Sequence, residues 1–335
     1  MIGRIFCALC SAAGLALLAW LSGGPAALAW VAVGGLALLA AAVYNLGYWP
    51  RPRARAPVPP DPSRVRWPEA LPLESFKGNN RLLFCLHGFP STPADFRKVE
   101  AASNQRGWDL YAPLLPGHGT MPSDLYGTSW DQYLAYALER WRQLRPRYSQ
   151  ACLVGSSMGG SLCLALAEAC RDEPGLTPSA LATIGSPVVL NSLFRHALVK
   201  NPLIYASRSL GWILPALGSG YPDPDRQGVD GDGSWKGYLG VYPRQTWTLQ
   251  AGLRTVERNL GRVTCPVLIC HATGDRIVPY RNAEILARGL GSDTVELYAA
   301  KMDRFDHARH NLILYDSQRD RVWARILAFF EETLA

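Results

Sequence analysis

The hydrophobic pattern divides the chain into three regimes. Residues 5–21 and 26–43 are apolar runs without a single charge, parted by Ser22-Gly23-Gly24-Pro25, a cluster with turn chemistry. Residues 50–72 are rich in proline and arginine and show no apolar period, which predicts an extended linker. Beyond them, short apolar runs alternate with stretches in which apolar side chains recur at helical spacing.

Within the third regime the run RLLFCL, Arg81–Leu86, reads as a strand of a buried parallel sheet. Residues 108–113, 151–154, Ala180–Ile184, 267–270 and 294–298 read as further strands. Helical spacing marks 94–106, Trp130–Leu144, 161–169 and 322–334, with Leu134, Ala137, Leu138 and Trp141 on one face of the second. Strands alternating with helices predict an α/β fold around a mostly parallel sheet.

The two N-terminal runs are each near the lower end of the ~17–25 residues needed to cross a bilayer. Trp20, Trp30, Tyr44, Tyr48 and Trp49 mark their ends, and Arg4, Arg51, Arg53 and Arg55 lie outside them. Interfacial aromatics and outer basic residues predict a transmembrane hairpin over 1–49, inserted in the inner membrane with the rest of the chain on the cytoplasmic side. A signal peptide processed at Ala27-Leu28-Ala29, or a single anchor, is the alternative, although a second apolar run straight after that site is awkward for a signal peptide. Residues 50–75 then form the linker and 76–335 the catalytic domain.

Composition narrows the function class. With 48% hydrophobic and 18% charged residues the chain can bury a large core. Its net charge of +7 is not accompanied by interleaved basic and aromatic residues or by a nucleic-acid motif, so nucleic acid is not an expected partner. Of eight cysteines, Cys85, Cys152 and Cys270 fall in strand-like runs and Cys163 in a helical one. They read as reduced packing residues, which favours a cytoplasmic domain.

Candidate chemistry begins at Gly155-Ser156-Ser157-Met158-Gly159. This matches G-x-S-x-G between an apolar strand and an apolar helix, the setting in which a tight turn lifts the serine hydroxyl above a sheet. Ser157 is the candidate nucleophile. Its acid and histidine are expected later in the chain, in that order. Asp275 closes the strand-like run CPVLICHATGD and is the candidate acid. His307 and His310 both follow the last strand, and His310, directly ahead of the segment leading into the final helix, is preferred. His87, His118, His196 and His271 precede Asp275 and are out of order. A tetrahedral anion needs two aimed N–H donors. Met158, after the nucleophile, and Phe89, in the His87-Gly88-Phe89 turn after the first long strand, are the candidates, with His87 structural.

From about Arg81 to the C-terminus the chain resembles the bacterial carboxylesterase and monoacylglycerol lipase family of α/β-hydrolases, and more loosely the lysophospholipase-like group. The matching segments are LLFCLHGFPSTPADF, APLLPGHGTMPSDL, LVGSSMGG, PVLICHATGDRIVP and ARHNLILYDSQRDRVWARILAFF. The resemblance implies an α/β-hydrolase fold, a Ser157–Asp275–His310 triad and oxyanion donors at Phe89 and Met158. It implies a cap over 187–262, where Trp212, Trp235, Tyr238, Tyr242 and Trp247 suit a lipid-like ester or hold the cap together. The N-terminal hairpin lies outside that family's usual pattern, and anchoring beside the bilayer suggests membrane lipid as a partner and a monoacylglycerol, lysolipid or other lipophilic ester as substrate; the triad reaction needs no cofactor. A thioesterase, acyltransferase or peptidase with the same triad is the rival among enzymes. A non-catalytic membrane-anchored binding protein is the rival outside them.

Overall fold

The computed structural model describes residues 14, 17, 27–46, 56–192, 195–199, 201–222, 230–231, 235–302 and 308–335. Along the chain run helix α1 (Ala27–Leu46), strands β1 (Leu73–Ser75) and β2 (Arg81–Leu86), helix α2 (Glu100–Gln105), β3 (Asp109–Ala112), α3 (Trp130–Leu144), β4 (Gln150–Ser156), α4 (Met158–Ala169) and β5 (Ala180–Ile184). Helices α5 (Ser207–Ile213) and α6 (Pro243–Asn259) come next, then β6 (Val267–Ala272), α7 (Arg281–Gly289), β7 (Val295–Ala300) and α8 (Arg319–Leu334). The spatial order is β1-β3-β2-β4-β5-β6-β7. Only β1 runs antiparallel to its neighbour.

This sheet is buried on both faces, which explains why its strands are continuously apolar rather than alternating. Leu82, Phe84, Leu86 and Leu153 point to the side covered by α3, α4 and α6. Leu83, Cys85, Cys152 and Val154 point to the other side, where α8 contributes Trp323, Phe329 and Phe330. The chain steps outward from β2 to β3 on one side and to β4 on the other, so β2 and β4 flank the point where strand order reverses. In open α/β sheets, loops leaving the carboxyl ends of such strands diverge and leave a crevice between them.

Several boundaries differ from the pattern reading. The helix expected over 94–106 is a 3₁₀ segment, Pro93–Val99, followed by the short α2. On α3 the buried face is carried by Trp130, Tyr133, Tyr136, Ala137 and Trp141, while Leu134 and Leu138 are half-buried. The cap region between β5 and β6 holds two short hairpins besides α5 and α6. Its Tyr238 and Tyr242 are buried with Leu125 and hold the cap down, whereas Trp212 is exposed. The six described cysteines are free and buried, as packing residues should be.

The N-terminal expectation is not supported. Among the described residues no helix is long and apolar enough to cross a membrane. The first apolar run lies outside the described residues except for Gly14 and Leu17. The last turn of α1 is instead committed to protein contacts. Asn45 Nδ2 donates to Ser209 Oγ at 2.7 Å, and Ser209 N–H donates to Asn45 Oδ1 at 3.1 Å. The Arg208 guanidinium lies 4.1 Å from the Tyr44 ring centroid and donates to the Tyr44 carbonyl at 2.8 Å. The end of α1 is thereby fastened to α5 of the cap.

Phe84 sits at the centre of one core layer, edge-on to Trp141 at 5.4 Å and tilted against Tyr111 at 5.5 Å. Phe84→Ala is expected to cost about 3–5 kcal/mol of folding stability. Urea unfolding monitored by tryptophan fluorescence measures that loss.

Candidate active site

Ser157 occupies the turn between β4 and α4 with φ 52° and ψ −124°. A non-glycine residue at such a positive φ is held there only by its surroundings. Its N–H donates to the Ile184 carbonyl at 2.8 Å, tying the turn to the end of β5. The flanking glycines are required by close approach. A Cβ on Gly155 would lie 2.3 Å from Gly160 Cα, and one on Gly159 would lie 1.9 Å from the Leu86 carbonyl oxygen. Real side chains never come so near, so Gly155 is required where the end of β4 packs on the start of α4, and Gly159 where α4 crosses β2.

Asp275 follows β6, and its carboxylate is fully buried. Oδ1 accepts from the N–H groups of Ile277 and Val278 at 2.7 and 2.8 Å. Oδ2 accepts from His310 Nδ1 at 2.7 Å. Burial pushes this carboxyl up, but the His310 charge and hydrogen bonds from His271, His310 and Val278 outweigh it and bring it down to about 2. The residue therefore stays ionised and fixes the proton of neutral His310 on Nδ1. The lone pair then falls on Nε2, which is buried and makes no hydrogen bond. The imidazole packs on Gly185, where an added Cβ would stand 3.1 Å from Nδ1. Gly185 directly follows Ile184, the acceptor of the Ser157 N–H, so His310 and Ser157 are both positioned against the end of β5. His307 lies outside the described residues.

The two candidate oxyanion donors lie on neighbouring segments beside Ser157. Met158 N–H opens α4 and has no acceptor within its own helix. Gly88, just before Phe89, lies against Ser157: a Cβ there would be 3.0 Å from Ser157 Cβ. All five sequence-derived residues thus stand at the carboxyl ends of β2, β4, β5 and β6 or on the loop that covers them. Among the described residues, no group of three or more His, Cys, Asp or Glu side chains is arranged to hold a metal ion.

His87 is structural. Its Nδ1 donates to the Gly88 carbonyl at 3.0 Å while Nε2 accepts from Leu115 N–H at 3.1 Å. Burial, with His118 beside it, holds its pKa well below the ordinary value. His118 packs edge-on to Phe89 at 5.7 Å, and burial lowers its pKa to about 4. Three contributors escape sequence reasoning. His271 Nε2 donates to the Val278 carbonyl at 2.9 Å and lies 3.4 Å from Asp275 Oδ2. Asp95, inside the run read as helical over 94–106, and Asn311, next to His310, are joined by a hydrogen bond of 3.0 Å.

Burial raises the Asp95 carboxyl from 3.8 to about 7, against hydrogen bonds from Ser91 and Asn311. Since the folded state holds this proton more tightly than the unfolded chain, its stabilising contribution is complete below pH 3.8 and is lost as pH rises through about 7. The neutral isostere Asp95→Asn escapes that loss. Its melting temperature relative to the unsubstituted protein is expected to rise between pH 5 and pH 8, as thermal scans in matched buffers would show.

Residues 82–325 match the α/β hydrolase family. The thermostable monoacylglycerol lipase of Bacillus sp. (strain H-257) is 28% identical over 249 residues, covering 73% of this chain and 88% of that protein. The carboxylesterase of Bacillus subtilis (strain 168) is 22% identical over 259 residues, covering 77% and 95%. A solved structure from work on the metagenome-derived lipolytic enzymes LipS and LipT superposes with a TM-score of 0.64 at 24% identity, covering 79% of this chain and 98% of that one. With the family match spanning well over half its length, and with this sheet and the glycine-flanked turn at Ser157, the chain belongs to the α/β hydrolase family.

Proposed function

We propose that the protein is a serine carboxylester hydrolase that works through an acyl-enzyme. The observation that carries the reading is the 2.7 Å bond from His310 Nδ1 to a buried Asp275, beside a serine held at positive φ on its turn. Ser157 Oγ attacks the ester carbonyl as His310 Nε2 takes its proton. The carbonyl oxygen becomes an oxyanion facing Phe89 N–H and Met158 N–H, each such donor being worth about 10²–10³ in rate. The tetrahedral intermediate collapses, His310 returns the proton to the departing alcohol, and the acyl group remains on Ser157. Water then attacks the acyl-enzyme with His310 again as base, releasing the acid and restoring the serine. Asp275 keeps the imidazole in register and stabilises its cationic form without itself becoming protonated.

The substrate class in this reading is a lipophilic ester such as a monoacylglycerol or lysolipid. It is supported by the named activities of the two Bacillus relatives and by the apolar cap, which exposes Leu203, Trp212 and Ile213. We further propose that the N-terminal apolar segment holds the domain at the cytoplasmic side of the inner membrane. Leu36, Leu38 and Leu39 on α1 are each at least 60% exposed, which favours a lipid environment.

A fluorophosphonate probe is expected to label the protein and to leave Ser157→Ala unlabelled. His310→Ala should lower kcat on p-nitrophenyl esters by about 10⁴-fold or more with intact folding. A wild-type protein that hydrolyses esters but labels at another residue would sink the mechanism. Deleting residues 1–46 should shift the protein from the membrane pellet to the supernatant on fractionation. Equal membrane association with and without the segment would remove the anchoring proposal.

A further inference from the structure

We propose that Asp95 is a positioning residue whose carboxyl group straps the oxyanion loop to the loop that carries His310. The proposal rests on the triad reading above but assigns a role to a group that the reaction steps do not use.

Asp95 lies in the 3₁₀ segment after β2 and is 1% exposed. A carboxyl group so deep costs free energy that an apolar residue of the same volume would not. What it receives in return is a set of donors from two distant parts of the chain. From the oxyanion loop, Ser91 Oγ donates to Oδ1 at 2.7 Å, and the Ser91 N–H in turn donates to the Gly88 carbonyl at 2.9 Å. From the histidine loop, Asn311 Nδ2 donates to Oδ2 at 3.0 Å, across 216 residues of sequence. Asn311 Oδ1 is buried and makes no hydrogen bond, so Asp95 is the polar hold on that side chain.

Both ends of the strap adjoin reacting groups. Ser91, which Asp95 holds, fixes Gly88 in turn: the Gly88 carbonyl accepts from Ser91 N–H at 2.9 Å and from His87 Nδ1 at 3.0 Å. The next N–H along the chain is that of Phe89, the candidate oxyanion donor. Asn311 is bonded directly to His310. Asp95 is hydrogen-bonded to neither Phe89 nor His310, yet each adjoins a residue placed through it: Phe89 follows Gly88, and His310 precedes Asn311. A general base and an oxyanion donor act on the same tetrahedral centre, so their separation must be set before substrate arrives. The Asp275–His310 bond aims the imidazole ring. The Asp95–Asn311 bond sets where that loop stands relative to the oxyanion turn.

A purely local role is the rival: Asp95 could serve only to close the turn through Ser91. That role needs no partner at Asn311 and predicts that Asn311 is dispensable for turnover.

The test is steady-state hydrolysis of a p-nitrophenyl ester by the full chain, with kcat normalised to the sites titrated by a fluorophosphonate. Asp95→Ala is expected to lower kcat by about 100-fold, the cost of a misplacement of about 1 Å. KM should stay within about threefold, because substrate binding is not what the strap serves. Asn311→Ala, which cuts only the cross-loop arm and spares the buried turn, should lower kcat about tenfold. Asp95→Asn should retain most of the wild-type kcat, since the Asn311 amide can turn its unpaired Oδ1 toward the new Nδ2 donor. The proposal is overturned if Asn311→Ala keeps kcat per titrated site within about twofold of wild type. It is also overturned if Asp95→Ala loses activity only in proportion to the sites lost. Failure of wild-type protein to label at all would instead strike the hydrolase reading, and the strap with it.

Discussion

Gly159 passes so close to the end of β2 that a single added carbon would stand 1.9 Å from the Leu86 carbonyl oxygen. That contact forces much of the rest of the site. It brings the start of α4 against the turn that holds His87, Gly88 and Phe89, so Ser157 and the two candidate oxyanion donors share one corner of the sheet. It pins Ser157 in a backbone conformation that an isolated chain avoids. The conformation survives because the Ile184 carbonyl takes the Ser157 N–H, and because Gly155 and Gly160 admit the backbone around it. The layers on either face of β2 and β4 serve the same end, since a sheet this fully covered has little freedom to relieve the crowding.

The second organising feature is electrostatic. Asp275 is buried, which by itself favours the neutral acid, yet two backbone N–H groups and His310 keep it ionised. The arrangement orders the imidazole in one step: the anion takes the Nδ1 proton and leaves Nε2 with its lone pair. Asp95 has the opposite balance. There burial outweighs the donors, and the carboxyl titrates near neutrality. Two buried carboxyls of one site are thus set apart by the number and kind of groups that face them.

Much of this was legible in the sequence because the relevant signals are local. Arg81–Leu86 and Ala180–Ile184 read as strands because a strand covered on both faces needs an apolar residue at nearly every position. Ser157 and Asp275 could be found because each lies directly after such a strand. What escaped is either short or long-range. β1 has three residues, with Glu74 exposed between buried neighbours, too little for any period to register. Helix α7 has nine residues and lies between two strands without a strong cap. Asp95, Asn311 and His271 are polar residues in unremarkable local settings, and their meaning comes from partners the fold brings to them. The apolar run that became α1 illustrates the converse. Its hydrophobicity suggested a membrane hairpin, but hydropathy does not register the polar end where Tyr44 and Asn45 meet the cap.

The central claim is that Ser157 becomes covalently acylated with His310 as base. It is tested most directly by acid-quenching the His310→Ala variant and the wild type during p-nitrophenyl ester turnover and mapping the peptides by mass spectrometry. The account expects the wild type to carry the acyl mass on the peptide that contains Ser157, and the variant to accumulate that adduct far more slowly. Continued turnover with no adduct on Ser157, or with the acyl group on another residue, would contradict it.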